Sequence, residues 1–320
     1  MKALQFDRTG SLDNLRLVEL PVPDLRPGQV LVRVTAAGIN PSDVKNVLGR
    51  FAYTTLPRVP GRDFAGEIVA GSPSRLGQHV FGSGKELGFT ADGSHAGFVV
   101  VAEDGVVAIP EGLSALQAAS LGVPYVTAWD GLERADTTPG TRVLIIGAGA
   151  VGRAALALAQ WRGAETAVAV RRAAQAEEFA AAGHNVILLD GGALREALPA
   201  ALGGAVDVVF DTTGAWTANG IEVLAPFGRL VIIAAPPRGK VELPTLSLYR
   251  RGGSLIGINS LLYDSRTCAQ ILERLAQGFA SGGLSLPGQP VEWAAEDGVA
   301  AYRALEHGSS QKIVLTGFAA

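Results

Sequence analysis

Val143-Leu144-Ile145-Ile146-Gly147-Ala148-Gly149-Ala150-Val151-Gly152 is the stretch whose reading decides the fold. Its four branched apolar residues read as a strand buried on both faces, and the run from Ala150 to Trp161 reads as a helix. Between them stand three glycines at Gly-x-Gly-x-x-Gly spacing. With 41 glycines in 320 residues that spacing recurs by chance, so the strand before it and the helix after it carry the argument. In this setting Gly147 permits a tight turn, Gly149 lets backbone amides approach a pyrophosphate, and Gly152 lets the helix pack on the strand. The helix N-terminus favours the anion. Gly147, Ala148, Gly149, Ala150, Val151 and Gly152 are therefore expected to grip a dinucleotide; the alternative is a glycine turn with no ligand.

Outward from this turn, strand-like runs alternate with helical ones. The runs are Val143–Ile146, Ala167–Val170, Val186–Leu189, Val206–Phe210, Leu230–Ala234 and Ser254–Ile258. Continuous apolar strands joined by crossovers predict an α/β fold, a doubly wound parallel sheet of the Rossmann type. In such folds an acidic residue about 20 positions beyond the glycines binds the ribose hydroxyls of NAD. Here the second strand ends instead in Arg171-Arg172, whose guanidinium groups suit the 2′-phosphate of NADP by charge and bidentate geometry. The competing reading is a solvated basic pair, although cations at a helix start oppose the helix dipole. NADPH is thus the expected cofactor, with Gln175 adding to the phosphate pocket. Thr212 and Thr213, Ala234 and Ala235, and Asn259 end the later strands on the side where ligands bind in open α/β sheets.

Residues 1 to about 112 are patterned differently. Short apolar runs, Gln29–Val34, Ala65–Ala70, Gln78–Phe81 and Gly97–Val101, lie between Pro, Gly and Asp, which predicts a β-rich, barrel-like domain. Ser114 followed by Gln117 is a capping-box signature opening an apolar helical run through Leu121. The tail from Tyr263 offers helices over Ala269–Ala280 and Asp297–His307, then a strand, Lys312–Leu315, that comes too late for the six-strand sheet and is expected to pair with the first domain.

Composition narrows the function classes. A 320-residue chain exceeds what one core usually serves, and 48% hydrophobic with 18% charged residues predicts a chain folded throughout. A formal charge of -3 offers no broad basic field, so nucleic acid is not an expected partner. The most apolar stretch, Val143 to Gln160, is broken by glycines and Arg153, which argues against a membrane span. The N-terminus carries scattered charges rather than a signal peptide, and the lone Cys268 fits a reducing compartment, so the cytoplasm is the expected location.

Seven segments, taken in order, carry a likeness over nearly the whole chain: Gly38-Ile39-Asn40-Pro41-Ser42-Asp43, Pro60-Gly61-Arg62-Asp63-Phe64-Ala65-Gly66, Thr127-Ala128-Trp129, the glycine turn, Asp211-Thr212-Thr213-Gly214, Gly228-Arg229-Leu230-Val231 and Lys312-Ile313-Val314-Leu315. With them the chain resembles the zinc-independent medium-chain dehydrogenase/reductases, the quinone oxidoreductase-like proteins. The resemblance implies a Rossmann domain inserted in a GroES-like β-rich catalytic domain, with residues 1–118 and 263–320 forming the catalytic part and 119–262 the NADP-binding part. It also implies a substrate cleft and a homodimer joined through Ser254–Ile258, an apolar edge strand that needs cover. Zinc-dependent relatives carry Cys and His where Asn40 and Arg62 stand here, and His79, His95, His184 and His307 lack metal spacing, so no metal is expected.

Without a Lewis acid, reduction of a quinone or enone by hydride is easier than carbonyl-alcohol interconversion. The resemblance implies that Asn40 positions substrate or stabilises an oxyanion, an Asx-turn before Pro41 being the alternative, and that the Lys45 ammonium lies near the substrate unless it is merely an exposed helix lysine. Family members often carry a proton-donating tyrosine in a Gly-x-Tyr step, which here reads Gly49-Arg50-Phe51, leaving Tyr53 as the substitute acid. Ser42-Asp43 reads as a helix cap, Arg62 as an ion pair or a substrate contact, and His95 as a half-buried surface histidine. The alternatives are an enoyl-thioester reductase, with Arg50, Arg250 and Arg251 as a basic entrance, and a non-catalytic NADPH-binding redox sensor or structural protein.

Overall fold

The computed structural model describes residues 1–189, 194–285, 288–309 and 311–318. Along the chain the strands are β1 (Lys2–Phe6), β2 (Leu15–Glu19), β3 (Gln29–Gly38), β4 (Asp63–Ala70), β5 (His79–Gly82), β6 (Phe98–Ala102), β7 (Val107–Ala108), β8 (Arg142–Ile146), β9 (Glu165–Val170), β10 (Asn185–Leu188), β11 (Val206–Asp211), β12 (Leu224–Ile232), β13 (Ser254–Gly257), β14 (Val291–Ala294) and β15 (Ile313–Thr316). The helices are α1 (Pro41–Val47), α2 (Ala115–Ala118), α3 (Gly122–Arg134), α4 (Ala150–Trp161), α5 (Ala173–Ala181), α6 (Leu194–Leu202), α7 (Thr217–Glu222), α8 (Thr245–Arg250), α9 (Ser265–Ala280) and α10 (Gly298–Glu306). Two compact units result: Met1–Val126 with Ser260–Ala320, and Thr127–Asn259. The first joint lies within α3, eight residues beyond the boundary read in the sequence, and the second lies three residues before it. Among the described residues no helix is long and apolar enough to cross a membrane.

In the second unit all six strands run parallel in the order β10-β9-β8-β11-β12-β13, with the order reversing between β8 and β11. This is the doubly wound Rossmann sheet that the alternating runs predict. Strand β8 is buried from Val143 to Ile146, as a central strand covered on both faces must be. Leu144, Ile146, Ala167, Val209 and Leu230 share one core with Leu194 and Leu198 of α6.

The first unit is β-rich, with a sheet ordered β14-β15-β3-β4-β5-β7 and β6 also paired to β3. Strand β15 pairs antiparallel with β3, joining Val314 to Gly38 and Leu315 to Ala37, so the tail does return to the first segment. Its Ile313 and Leu315 lie in the same core as Leu4, Phe6, Val32 and Phe64. The Ser114–Gln117 capping box is present, but α2 stops at Ala118 and a separate helix begins at Gly122 instead of one run continuing through Leu121. Position 122 requires glycine, because a Cβ there would lie 2.2 Å from Asp63 Oδ1.

His95 corrects an expectation. It is fully buried, not a half-buried surface group. Its Nε2 lies 3.3 Å from the Gly38 carbonyl oxygen and its Nδ1 lies 2.7 Å from the hydroxyl of Tyr302 on α10. A carbonyl only accepts, so Nε2 carries the proton and Nδ1 accepts from the tyrosine, which satisfies the neutral imidazole at both nitrogens. The surface reading failed because nothing in Gly93-Ser94-His95-Ala96 reveals a partner over 200 positions away.

Burial, with the Lys312 ammonium adding to it, pushes His95 down to about 4, and burial raises the Tyr302 phenol well above its usual value. The unfolded chain then takes up a proton near pH 6.5 while the folded protein resists until about pH 4. The stability that neutral His95 contributes is present above pH 6.5 and is lost as pH falls through that window. Urea midpoints of wild type and His95→Gln between pH 7.5 and 4.5 are expected to converge as pH falls, by about 3 kcal/mol at most. A gap independent of pH would show that the imidazole does not titrate in this way.

Candidate cofactor and catalytic sites

Each glycine of the turn has a distinct steric reason. Gly147 follows β8 at φ +102°, and a Cβ there would stand 2.3 Å from Thr212 Oγ1. A Cβ on Gly152 would stand 2.0 Å from the Gly147 carbonyl oxygen, a backbone atom that cannot give way. Gly149 is the N-cap of α4, no side chain caps it, and its Cβ direction is open to 4 Å. The first N–H groups of α4 have no carbonyl within the helix to accept them. Uncapped donors facing open space at the end of a 12-residue helix fit the diphosphate of a dinucleotide.

The other expected cofactor residues gather on the same crest, the carboxyl ends of the parallel strands. Arg171 follows β9, Arg172 is the N-cap of α5, and both are exposed, with no ion pair to either among the described residues. Gln175 is in the first turn of α5 and donates its backbone N–H to the Arg172 carbonyl at 3.0 Å. Thr212 and Thr213 follow β11, and the Thr212 hydroxyl donates to the Ile146 carbonyl at 2.8 Å. Ala234 and Ala235 lie against Gly214, whose Cβ would meet the Ala234 carbonyl oxygen at 2.6 Å. Asn259 is exposed two residues after β13. In the spatial order of the strands, the crest runs Arg171, Gly147, Thr212, Ala234, Asn259.

Sequence reasoning missed what organises the Thr212–Thr213 loop. Asp211 is fully buried, and its Oδ1 accepts from the backbone N–H groups of Thr213 and Gly214 and from the Thr213 hydroxyl at 2.8 to 3.0 Å. Its Oδ2 accepts from the Trp216 N–H and the Thr217 hydroxyl, both at 3.2 Å. The available signal was a carboxylate closing the apolar run Val208-Val209-Phe210, since a buried charge must be fully hydrogen-bonded.

In the first unit, Asn40 is 1% exposed and already committed. Its Nδ2 donates to Asp63 Oδ2 at 2.8 Å, and its Oδ1 accepts from Lys312 Nζ at 2.7 Å. Lys312 also reaches Asp63 Oδ2 at 3.2 Å and the Ile39 carbonyl at 3.1 Å, while Val123 N–H donates to Asp63 Oδ1 at 2.8 Å. The ammonium from the tail thus closes a buried triad with two residues of the first segment. The signal for Lys312 was a lone charge at the start of an apolar strand.

Asn40 is itself the N-cap of α1, and Asp43 occupies the third helical position, where its Oδ2 accepts the Asn40 N–H at 2.8 Å. The capping reading of Ser42-Asp43 was therefore displaced: Asp43 closes the box from inside the helix. Burial and the neighbouring Asp63 charge push the Asp43 carboxyl up to about 7. Arg62, 1% exposed, makes no ion pair among the described residues; it donates to the carbonyls of Gly84 and Ser260 and to the Ser260 hydroxyl. Arg251 is similarly spent on the carbonyls of Leu224, Ser247 and Glu222.

Lys45 is exposed on α1. Tyr53 is 50% exposed, its ring stacked on Phe89 at 5.7 Å and tilted against Phe51 at 5.9 Å. Burial raises its phenol above the usual value, so the group is protonated at neutral pH, and no hydrogen bond to its hydroxyl exists among the described residues. Cys268, by contrast, is buried and its thiol is pushed up to about 12, which makes it unreactive.

Comparison with known proteins agrees with this architecture. Residues 26–111 match the model of the alcohol dehydrogenase GroES-like domain, and residues 150–277 match that of the zinc-binding dehydrogenases. The zinc-type alcohol dehydrogenase-like protein of Schizosaccharomyces pombe is 34% identical over 327 residues, covering 99% of this chain and 97% of that protein. The quinone oxidoreductase of Mus musculus is 30% identical over 336 residues, covering 97% and 96%. Among solved structures, an alcohol dehydrogenase superfamily protein from Novosphingobium aromaticivorans superposes with a TM-score of 0.87 at 27% identity, covering 99% of each chain. With the Rossmann crest and the GroES-like unit both in place, the chain belongs to the medium-chain dehydrogenase/reductases of the quinone oxidoreductase-like type, oxidoreductases that use a nicotinamide cofactor.

Proposed function

We propose that this oxidoreductase reduces quinones or α,β-unsaturated carbonyl compounds with NADPH and without zinc. The observation that carries the cofactor choice is the pair Arg171 and Arg172. They stand exposed where β9 ends, at the place of the ribose-binding carboxylate of NAD enzymes, and no carboxylate among the described residues neutralises them. The amides at the start of α4 hold the diphosphate, the two guanidinium groups hold the 2′-phosphate with Gln175 beside them, and Thr212, Thr213, Ala234, Ala235 and Asn259 line the remaining crest. When bound, NADPH supplies the hydride.

Zinc does not fit the residues present. A guanidinium stands at one family ligand position, and at the other an amide already held by Asp63 and Lys312. Among the described residues no three His, Cys, Asp or Glu side chains are grouped as a metal site. A reaction that needs only hydrogen-bond donors for a developing enolate or quinol oxygen suits this chemistry better than one that needs a metal-bound alkoxide. Tyr53, protonated and with its hydroxyl uncommitted, is the proposed donor, and Lys45 is the proposed cation for the developing charge. Asn40 acts as a positioning residue through Asp63 and Lys312. The lone, inert Cys268 accords with a cytoplasmic protein. The edge strand β13, close in sequence to the exposed Tyr249 of α8, accords with a homodimer built through that edge.

Two measurements test this reading. Changing Arg171 to Asp together with Arg172 to Ala is expected to weaken NADPH binding at least about tenfold more than NADH binding; equal losses for both nucleotides would defeat the assignment. NADPH oxidation followed with a quinone, a small enone and a crotonyl thioester is expected to be fastest with one of the first two and to slow about 100-fold in Tyr53→Phe. Preference for the thioester would make the protein an enoyl reductase, and tight NADPH binding with no acceptor reduced would make it a sensor.

A further inference from the structure

Arg153 follows the last glycine of the turn, and neither the fold nor the proposed chemistry assigns it a part. Its guanidinium leaves α4 sideways. Nε donates to the Ala148 carbonyl oxygen at 3.2 Å, Nη1 lies 2.8 Å from Glu178 Oε1, and Nη2 donates to Glu178 Oε2 at 2.9 Å. The same group lies over the Phe179 ring, 4.7 Å from its centroid, and Phe179 is buried at 5% exposure against the His184 ring. One side chain therefore joins the middle of the glycine turn to α5, the helix whose N-cap is Arg172.

We propose that Arg153 is a positioning residue for dinucleotide binding: by holding the Ala148 carbonyl against α5 it sets the Gly149 amide toward the pyrophosphate. The inference rests on the dinucleotide reading of the turn. The Ala148 carbonyl and the Gly149 N–H belong to one planar trans peptide, so fixing the oxygen fixes the direction of the opposite hydrogen. A Gly-Ala-Gly segment has the greatest backbone freedom to lose when a ligand orders it. A strut that orders it beforehand lowers that cost of binding.

The rest of the geometry favours this role over direct attraction of phosphate. Glu178 takes both terminal nitrogens of Arg153 in a bidentate pair, so the cation is already neutralised. The two side chains are 40% and 55% exposed, and an ion pair so open to water adds little stability by itself. The ring beneath and the fork to Glu178 fix the plane of the guanidinium, and its third edge is left for the Ala148 carbonyl. A lysine ammonium lacks the planar fork, so it cannot grip both Glu178 oxygens while a separate coplanar N–H reaches the carbonyl.

The test is calorimetric titration of the full chain with NADPH, NADH and adenosine 2′-monophosphate, which has the 2′-phosphate but no pyrophosphate. Arg153→Ala is expected to weaken NADPH and NADH by the same factor, about tenfold, and to leave adenosine 2′-monophosphate unchanged. Arg153→Lys is expected to recover less than half of that loss on a logarithmic scale. Should Arg153→Ala fail to fold, Glu178→Gln, which loosens the far end of the strut, supplies the same comparison with an expected loss of about threefold. Loss of the monophosphate in parallel with NADPH, or no change in any of the three, overturns the proposal while the dinucleotide reading stands. A well-folded wild type that binds neither NADPH nor NADH overturns both.

Discussion

Backbone pressed on backbone at the start of α4 is the constraint from which the cofactor unit follows. The carbonyl of Gly147 occupies the space that any side chain at Gly152 would need, at 2.0 Å from its Cβ position. That contact lets α4 begin directly over the end of β8 and leaves its first amides facing outward. A single methyl at Gly152 would push the helix off the strand, and the donors would no longer converge. The parallel sheet supplies the rest: because every strand ends on the same side, Arg171, Gly147, Thr212, Ala234 and Asn259 line one crest although Gly147 and Asn259 stand 112 positions apart in sequence.

Each unit also contains a carboxylate with no exposed surface, and the two are stabilised differently. Asp211 accepts five hydrogen bonds from neutral donors within the next six residues, so its charge stiffens a loop of its own strand. Asp63 draws its donors from three distant places in the chain, the Asn40 amide, the Val123 N–H and the Lys312 ammonium. In both cases a carboxyl group in a low-dielectric interior is tolerable only because several donors surround it. The second arrangement leaves the Asn40 amide occupied in holding the interior together.

The Rossmann sheet was legible because its signal is local. Each apolar run is a strand, each gap is a crossover, and handedness and strand order then leave few alternatives. The six strands and α4 lie within a few residues of where the periodicity puts them, except β12, which begins six residues earlier at Leu224 through a register shift opposite Val206–Val208. The residues proposed for the cofactor were chosen on the same local signal, as residues at or just beyond the carboxyl ends of those runs. Partnerships formed by long-range folding were not. His95 meets Tyr302, Arg62 meets Ser260, Asn40 meets Lys312, and no window of sequence contains both members of any of these pairs.

By itself the sequence determined the order and kind of elements, the glycine turn, the basic pair after the second strand and the return of the tail to the first domain, because backbone sterics and hydrophobic periodicity act between neighbours. Tertiary structure alone decided which polar side chains are spent and which are free. Burial is a property of the whole packed chain. A buried donor or acceptor is satisfied by whatever group the fold carries next to it, however far away in sequence that group lies.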